Sequence, residues 1–474
     1  MRNKKKTLPL LENVKIDSLA AEGMSIAKTE NGVLFVPFGA PGDVVDIQVT
    51  KKKHKYMEGR IVNMVSPSDC RLTPFCQHFG VCGGCRWQHI PYELQLESKQ
   101  EQVYSTLKHL GGGIVLPECS PILGSQNTDH YRNKLEFTCS AKRWKSFEEM
   151  EFASEQSDAS DEVGIGFHIP RLFDKVLDIK QCYLMDDINN VIRLDIRQFA
   201  LVNSIPFYNI RERSGCLRNI VIRQTTTGQL MLVVVFNSGY DAFVQMLMSH
   251  LSESFPQITS LLYVINDKVN DSLSDLSFHT FSGQDYITER MEDLTFKIGP
   301  KSFYQTNSRQ AYELYKIVRQ FAHLNGSELV YDLYTGTGTI ACFLAKQCRK
   351  VIGIEYVEDA IVDAKDNAAA NNINNAQFYA GDMKDILTED FVREHGVPDV
   401  LITDPPRAGM HTDVVNVIMS VAPRHVVYVS CNPATQARDL SLMQSKYKVE
   451  AIQPVDMFPH TQHVENVVLL SALA

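Results

Sequence analysis

At 474 residues the chain is too long for one ordinary core, and its 44% apolar and 22% charged residues are those of a soluble globular protein of two or three domains. No apolar run approaches the roughly 18 residues of a membrane span, and MRNKKKTLPLLENVK lacks the apolar core of a signal; a cytoplasmic protein without membrane attachment is expected, its eleven cysteines serving as thiols, metal ligands or catalysts rather than disulfides. The net charge of −9 speaks weakly against a nucleic acid partner, but it is unevenly spread: Lys4, Lys5 and Lys6 and the run Thr50–Lys55 are basic, whereas Glu148–Glu162 is acidic and reads as a solvated insertion.

In chain order, NVKIDSLA, GVLFVPFG, DVVDIQVTK and GRIVNMV are short alternating runs broken by Gly and Pro, the pattern of a small β-barrel. Lys51, Lys52, Lys53 and Lys55, with His54 and Tyr56 beside them, tilt that barrel toward RNA. A helix is expected over 94–110, ending at Gly111, Gly112 and Gly113. The middle is β-rich, with YRNKLEFTCS, GIGFHIP, RNIVIRQTTTGQLMLVVVFN and LLYVINDKV as strand candidates and TTTGQ as a hairpin turn. From about Gly299 the pattern changes to strand alternating with helix. ELVYDLY, RKVIGIEY, AQFYAGD, PDVLITDPPR and HVVYVSCNP each lead into a helical segment, and YKVEAIQPVDMF and HVENVVLLSAL close the chain as two strands. Five such units and a closing hairpin describe an α/β, Rossmann-like doubly wound sheet. The expected division is a barrel over 1–67, a β-rich middle over 68–298 and an α/β domain over 299–474.

Ligands of doubly wound sheets bind beyond the carboxyl ends of the parallel strands. Asp332, Glu355, Asp382, Asp404 and Cys431 stand at that edge, and DLYTGTGTIA supplies glycines for a tight turn beside a ligand. GTGTIA alone also fits the loose dinucleotide fingerprint. Two features favour S-adenosylmethionine (SAM) instead. Asp332 would repel a pyrophosphate, and Asp404-Pro405-Pro406-Arg407 is similar to the fourth motif of methyltransferases. Enzymes that methylate amino groups typically place an aromatic after Pro-Pro; Arg407 in that position points to a carbon target.

C5 of a pyrimidine attacks a sulfonium methyl only after a thiolate has added at C6, and a base must then remove the C5 proton. Cys431 ends an apolar strand at the right edge. If the closing strand inserts antiparallel beside the fifth, the start of HVENVVLLSAL brings Glu465 to Cys431 as that base, with Asp404 close enough to orient it. The alternative is a buried structural thiol, the role expected of Cys342 and Cys348.

CQHFGVCGGC places Cys76, Cys82 and Cys85 where three thiolates can converge. Zinc sites usually pair two C-x-x-C hairpins, and no second one exists in the chain. The spacing therefore favours a [4Fe–4S] cluster with one remote fourth ligand over zinc. His78 and His89 are read as bystanders and Cys70 as a spare.

Taken together, CQHFGVCGGCRWQH, DHYRNKLEF, DIKQC, FYQTN, DLYTGTG, DPPR, SCNPATQARDL and HVENVVLL resemble the bacterial 23S ribosomal RNA (uracil-5-)-methyltransferases over nearly the full length. That resemblance implies an N-terminal TRAM barrel, a central iron–sulfur domain and a SAM-dependent methyltransferase domain. It makes Cys182 the fourth cluster ligand, Cys431 the nucleophile and Glu465 the base. Gln305, Tyr334, Thr339, Glu355, Asp382 and Asp404 fall at donor-binding positions, Thr339 and Asp382 where the ribosomal branch commonly has Asn. Phe303 matches an aromatic that stacks on flipped bases. RNA is the implied partner, with no obligate protein partner and a monomeric state expected.

Three other protein classes share parts of this pattern. A transfer RNA T-loop uridine methyltransferase uses the same chemistry, but that branch usually lacks the barrel and cluster. A radical methylthiotransferase has a C-x-x-x-C-x-x-C motif, which the gap between Cys76 and Cys82 does not fit. A non-catalytic RNA-binding protein needs neither Cys431 nor Glu465.

Overall fold

In the computed structural model, which describes residues 8–30, 32–151 and 162–473, alternation along Val44–Lys52 turns Val45, Ile47 and Val49 into a small core. That strand belongs to a six-stranded sheet ordered Leu10–Lys15, Val44–Lys52, Tyr56–Ser66, Gly32–Pro37, Met24–Thr29, Ser18–Leu19. Register shifts between Val44–Lys52 and Tyr56–Ser66 bend the sheet around Ile16, Leu34, Val36 and Met57. Met24–Thr29 escaped the sequence pattern because its inward residues are Ser25 and Ala27, too small and polar to show apolar alternation. Lys4, Lys5 and Lys6 and residues 152–161 of the acidic run lie outside the described residues.

Helix α1 (Tyr92–Leu110) follows the cysteine-rich loop. Beyond it, Leu217–Gln224 and Leu230–Phe236 form the expected hairpin, with Gly228 at φ 84 supplying the left-handed turn residue. They sit within a seven-stranded sheet ordered His279–Gly283, Ser260–Ile265, Leu230–Phe236, Leu217–Gln224, Lys134–Ser140, Gly164–His168, Val176–Asp178. Helices Ile188–Val202 and Asp241–Ser254 pack on one face of it. Val221, Val233 and Val235 on the other face join the C-terminal core, together with the hairpin Ile287–Met291 and Leu294–Ile298.

The C-terminal sheet comprises β1 (Leu329–Leu333), β2 (Lys350–Glu355), β3 (Ala376–Ala380), β4 (Val400–Thr403), β5 (His425–Ser430), β6 (Tyr447–Val455) and β7 (Glu465–Ala472). Its order is β3-β2-β1-β4-β5-β7-β6, parallel through β5, with β7 antiparallel beside β5. The central strands β1, β2, β4 and β5 are near-continuous apolar runs because both faces are covered. Helix α2 (Ser308–Ala322), Thr339–Ala345 and Glu358–Ala370 lie on one face; Thr412–Val421, α3 (Pro433–Met443) and Val103 and Leu107 of α1 lie on the other. Strand order reverses between β1 and β4, which opens a crevice at their carboxyl ends. Among the described residues no helix is long and apolar enough to cross a membrane.

Candidate active site

The strand β5 stops at Ser430 because the chain must turn into α3. Asn432 caps that helix, its side chain accepting from the Ala434 amide at 3.1 Å, and Pro433 begins it. Cys431 is thus left at the carboxyl edge of the sheet, partly buried. The same turn grips the loop after β4: Asn432 Nδ2 and Thr435 Oγ1 donate to the Arg407 carbonyl at 2.9 and 3.2 Å. The β5–β7 ladder ends with Ser430 opposite Asn466, and just beyond that pair stand Cys431 and Glu465, near enough for Glu465 to disfavour the Cys431 thiolate. Glu465 is buried.

The electrostatics of this edge are those of crowded acids with one cation. Burial, then Asp404, pushes the Glu465 carboxyl well above its ordinary range. Asp404 is raised to about 7 by burial and by Asp332, and Asp332 to about 7 by burial above all, with Glu355 adding to it. Cys431 is pushed up to about 11 by burial, Glu465 and Asp404, against the pull of Arg407, whose guanidinium bonds the thiol. Arg407 Nη2 also meets His463 Nδ1 at 3.3 Å. Burial, then Arg407, lowers His463 to about 4, so it is neutral and can accept that bond.

Arg407, beside the cysteine, and His463, which meets Arg407, are the residues that sequence reasoning missed. Arg407 was read only as the residue that argues against an amine target. Its position four residues after the end of a neighbouring strand was the available signal.

The donor edge assembles around the glycine loop. Asp332, fully buried, accepts from Thr335 Oγ1 at 2.5 Å while its other oxygen has no partner. Glu355 ends β2 and accepts from the Gly336 and Val357 amides at 3.2 and 3.0 Å. Tyr334 holds a left-handed backbone at φ 62, strain of the kind kept at functional turns. Gly336, at φ 55, faces open space. Thr339 opens the helix after the loop and lies 3.2 Å from Thr337. Thr337 in turn donates to the Phe303 carbonyl at 3.4 Å, which ties FYQTN to the loop. Gln305 is fixed by its carbonyl, which accepts from Asn133 Nδ2 at 2.8 Å. Asp382 caps the short helix Met383–Ile386 beyond β3. The Phe303 ring is 68% exposed, free to stack on something else.

Two further groups lie away from this edge. Lys51, Lys52, Lys53 and Lys55 are exposed on the barrel, Lys51 paired with Glu58 at 2.5 Å. Cys76, Cys82, Cys85 and Cys182 line one cavity of about 340 Å³. Gln88 holds the Cys76 amide at 3.2 Å and Asn190 the Cys182 amide at 2.8 Å. Burial pushes all four thiols up, Cys82 to about 11 and Cys85 to about 12. His78 borders the cavity but its Nε2 accepts from the Lys180 amide at 2.8 Å. Among the described residues no group of three or more His, Cys, Asp or Glu is placed to hold a metal ion, so the cluster expected at Cys76, Cys82, Cys85 and Cys182 has no support from this geometry.

Residues 279–473 match the family model of tRNA (uracil-5-)-methyltransferases and residues 12–62 that of the TRAM domain. The chain is 58% identical to an RNA methyltransferase of Bacteroides thetaiotaomicron, over 95% of this chain and 99% of that one, and 57% identical to one of Porphyromonas gingivalis, over 96% and 99%. Its fold matches the tRNA (uracil-54, C5)-methyltransferase of Pyrococcus abyssi, solved with S-adenosyl-L-homocysteine, at a TM-score of 0.73 and 28% identity over 97% of this chain and 100% of that one. A sheet edge built for a methyl donor, a rolled N-terminal sheet and relatives spanning the whole length lead to one conclusion: the chain belongs to the TRAM-bearing RNA (uracil-5-)-methyltransferases and is a SAM-dependent RNA methyltransferase.

Proposed function

We propose that this enzyme methylates C5 of a uridine in 23S ribosomal RNA, with Cys431 as nucleophile and Glu465 as base. The observation that supports the reading is the proximity of Cys431 to the buried acid Glu465, just beyond the last pair of the β5–β7 ladder at the ligand edge. Cys431 Sγ bonds to C6, C5 takes the methyl group, Glu465 removes the C5 proton, and the freed electron pair restores the double bond as the thiolate leaves. Asp404 raises the proton affinity of Glu465 and so suits it to that last step. The donor is a co-substrate that supplies the methyl group. Gln305, Tyr334, Thr339, Glu355, Asp382 and Asp404 are proposed to hold it, and the exposed Phe303 to stack on an unpaired base. The division into a barrel over 1–67, a cysteine-bearing middle over 68–298 and a donor-binding domain over 299–474 is part of this proposal. Lys51, Lys52, Lys53 and Lys55 are assigned to RNA phosphates.

A [4Fe–4S] cluster held by Cys76, Cys82, Cys85 and Cys182 belongs to the same reading. Four half-buried thiols around one cavity are costly to ionise, and a bound cationic cluster would offset that cost. Its role is proposed to be structural, tying the loop around Cys76 to the segment around Cys182. Iron and sulfide content, lost in Cys182→Ser and kept in Cys342→Ser, tests the assignment.

Transfer RNA is the second reading, and a specific observation favours it. The Pyrococcus abyssi tRNA enzyme matches this chain end to end, so overall architecture does not separate the two RNAs as the sequence reading expected. The deciding experiment offers 23S ribosomal RNA and transfer RNA, each carrying 5-tritiated uridine, with labelled donor. Methyl incorporation matched by tritium release, both lost in Cys431→Ala, is expected on ribosomal RNA. Turnover on transfer RNA alone would keep the chemistry and change the substrate, and methylation without tritium release would remove C5 as the target.

A further inference from the structure

Glu465 follows directly on the loop 456–464, and the first half of that loop is held from outside the C-terminal sheet. Lys99 of α1 donates to Asp456 Oδ1 at 2.6 Å and to the Phe458 carbonyl at 3.1 Å. Tyr92, on the same helix, donates to Asp456 Oδ2 at 2.8 Å. Gln95 accepts from the His460 amide at 2.9 Å, and Tyr131 donates to the Pro459 carbonyl at 3.1 Å. The amides of Arg86 and Trp87, just past Cys85, donate to the His460 carbonyl at 2.8 and 3.1 Å. Under this grip His460 adopts φ 63, a left-handed backbone that a non-glycine residue keeps only where its surroundings impose it. From there Thr461 Oγ1 donates to the Phe458 carbonyl at 2.8 Å and accepts from the His463 amide at 3.3 Å. His463 meets Arg407, and Glu465 begins β7.

Lys99 and Asp456 are both fully buried, so the pair is a costly way to add stability. Apolar residues of the same volume would serve stability as well, but they would not fix a loop by three directed bonds. We propose that Lys99 is a positioning residue for proton abstraction: acting through Asp456, it sets where the loop delivers Glu465. The inference rests on the proposed roles of Cys431 and Glu465. It also gives the segment next to the cysteine cavity a mechanical link to the catalytic base.

The role predicts a fault at one step. A displaced Glu465 leaves Cys431 addition and methyl transfer intact but delays removal of the C5 proton. The enzyme then stays bonded to C6 of a methylated, saturated uracil. The test uses full-length Lys99→Met and the milder Tyr92→Phe, with whichever RNA the wild type methylates. Single-turnover methyl transfer, C5 tritium release and the RNA–protein species stable to detergent are followed together. For Lys99→Met, tritium release should slow by about tenfold or more, a fraction of the ~10²–10⁴ that a positioned base contributes, while methyl transfer stays within about twofold. The covalent species should accumulate, and a smaller delay of the same kind is expected in Tyr92→Phe. If both steps slow together, or no covalent species appears, Lys99 is a structural residue only. Should Lys99→Met fail to fold, a folded Tyr92→Phe with undelayed tritium release overturns the proposal. A wild type that releases no C5 tritium refutes the underlying reaction instead, a result visible before any variant is made.

Discussion

Cys431 should be a masked nucleophile in the free enzyme, and the structure says by how much. With the thiol pushed up to about 11, the thiolate at pH 7.5 is about 3 in 10,000, roughly a hundredfold below an ordinary cysteine. Alkylation by iodoacetamide, followed by mass spectrometry of the Cys431 peptide, should therefore be slow at neutral pH. It should rise about tenfold per pH unit up to about pH 10. The sign of each neighbour follows from its charge. Glu465→Gln removes an anion that disfavours the thiolate and should speed alkylation at fixed pH by roughly three- to tenfold. Arg407→Met removes the cation that favours the Cys431 thiolate and should slow it by a similar factor. A plateau near pH 8.5, or the two variants moving the rate in the opposite senses, would refute this account of the site.

Three other outcomes can be checked independently. Glu355→Ala frees the Gly336 and Val357 amides and removes the acceptor proposed for the donor's hydroxyls, so calorimetry should show donor binding weaker by about 1.4–3 kcal/mol. Replacing Lys51, Lys52, Lys53 and Lys55 with Gln should flatten the salt slope of RNA binding by about 3, and an unchanged slope would move the RNA path elsewhere. The raised carboxyl of buried Asp332 favours folding below pH 4 and loses that contribution as pH rises toward about 7. Asp332→Asn should therefore gain thermal stability over the wild type between pH 4 and 7, by up to about 4 kcal/mol, and hold a constant gain above it.

Much of this fold was legible because burial on both faces leaves a plain trace. β1, β2, β4 and β5 are nearly unbroken apolar runs that carry a polar residue at or next to their carboxyl ends, and that polar residue marks the ligand edge. The antiparallel insertion of β7 was legible only through topology, since nothing local to HVENVVLL says which strand it joins. Met24–Thr29 was missed because its inward positions are Ser25 and Ala27. The grip of α1 on the loop before Glu465 was invisible for another reason. Lys99 and Asp456 are 357 positions apart, and a lysine within an amphipathic helix ordinarily faces water. Cys182 had no spacing signal either, and only the resemblance to a family selected it.

The charge balance of the edge also orders events. Asp332, Asp404, Glu465 and Cys431 compete for ionisation around a single guanidinium, and with two carboxyls near 7 they cannot all be charged at neutral pH. A cation arriving beside them shifts that balance toward carboxylate, and the methyl donor carries one on the very sulfur that gives up the methyl group. On the proposed roles, a donor cation bound at this edge would offset the carboxylates and favour the Cys431 thiolate, so that the nucleophile would be released when it can be used. Two analogues separate this charge effect from mere occupancy. Sinefungin keeps a cation where S-adenosylhomocysteine has a neutral sulfur, and both fill the same space. At saturation and pH 7.5, Cys431 should alkylate roughly three- to tenfold faster with sinefungin than with S-adenosylhomocysteine. Equal rates would mean that donor charge does not reach the thiol, and that the RNA base itself must draw the proton from Cys431.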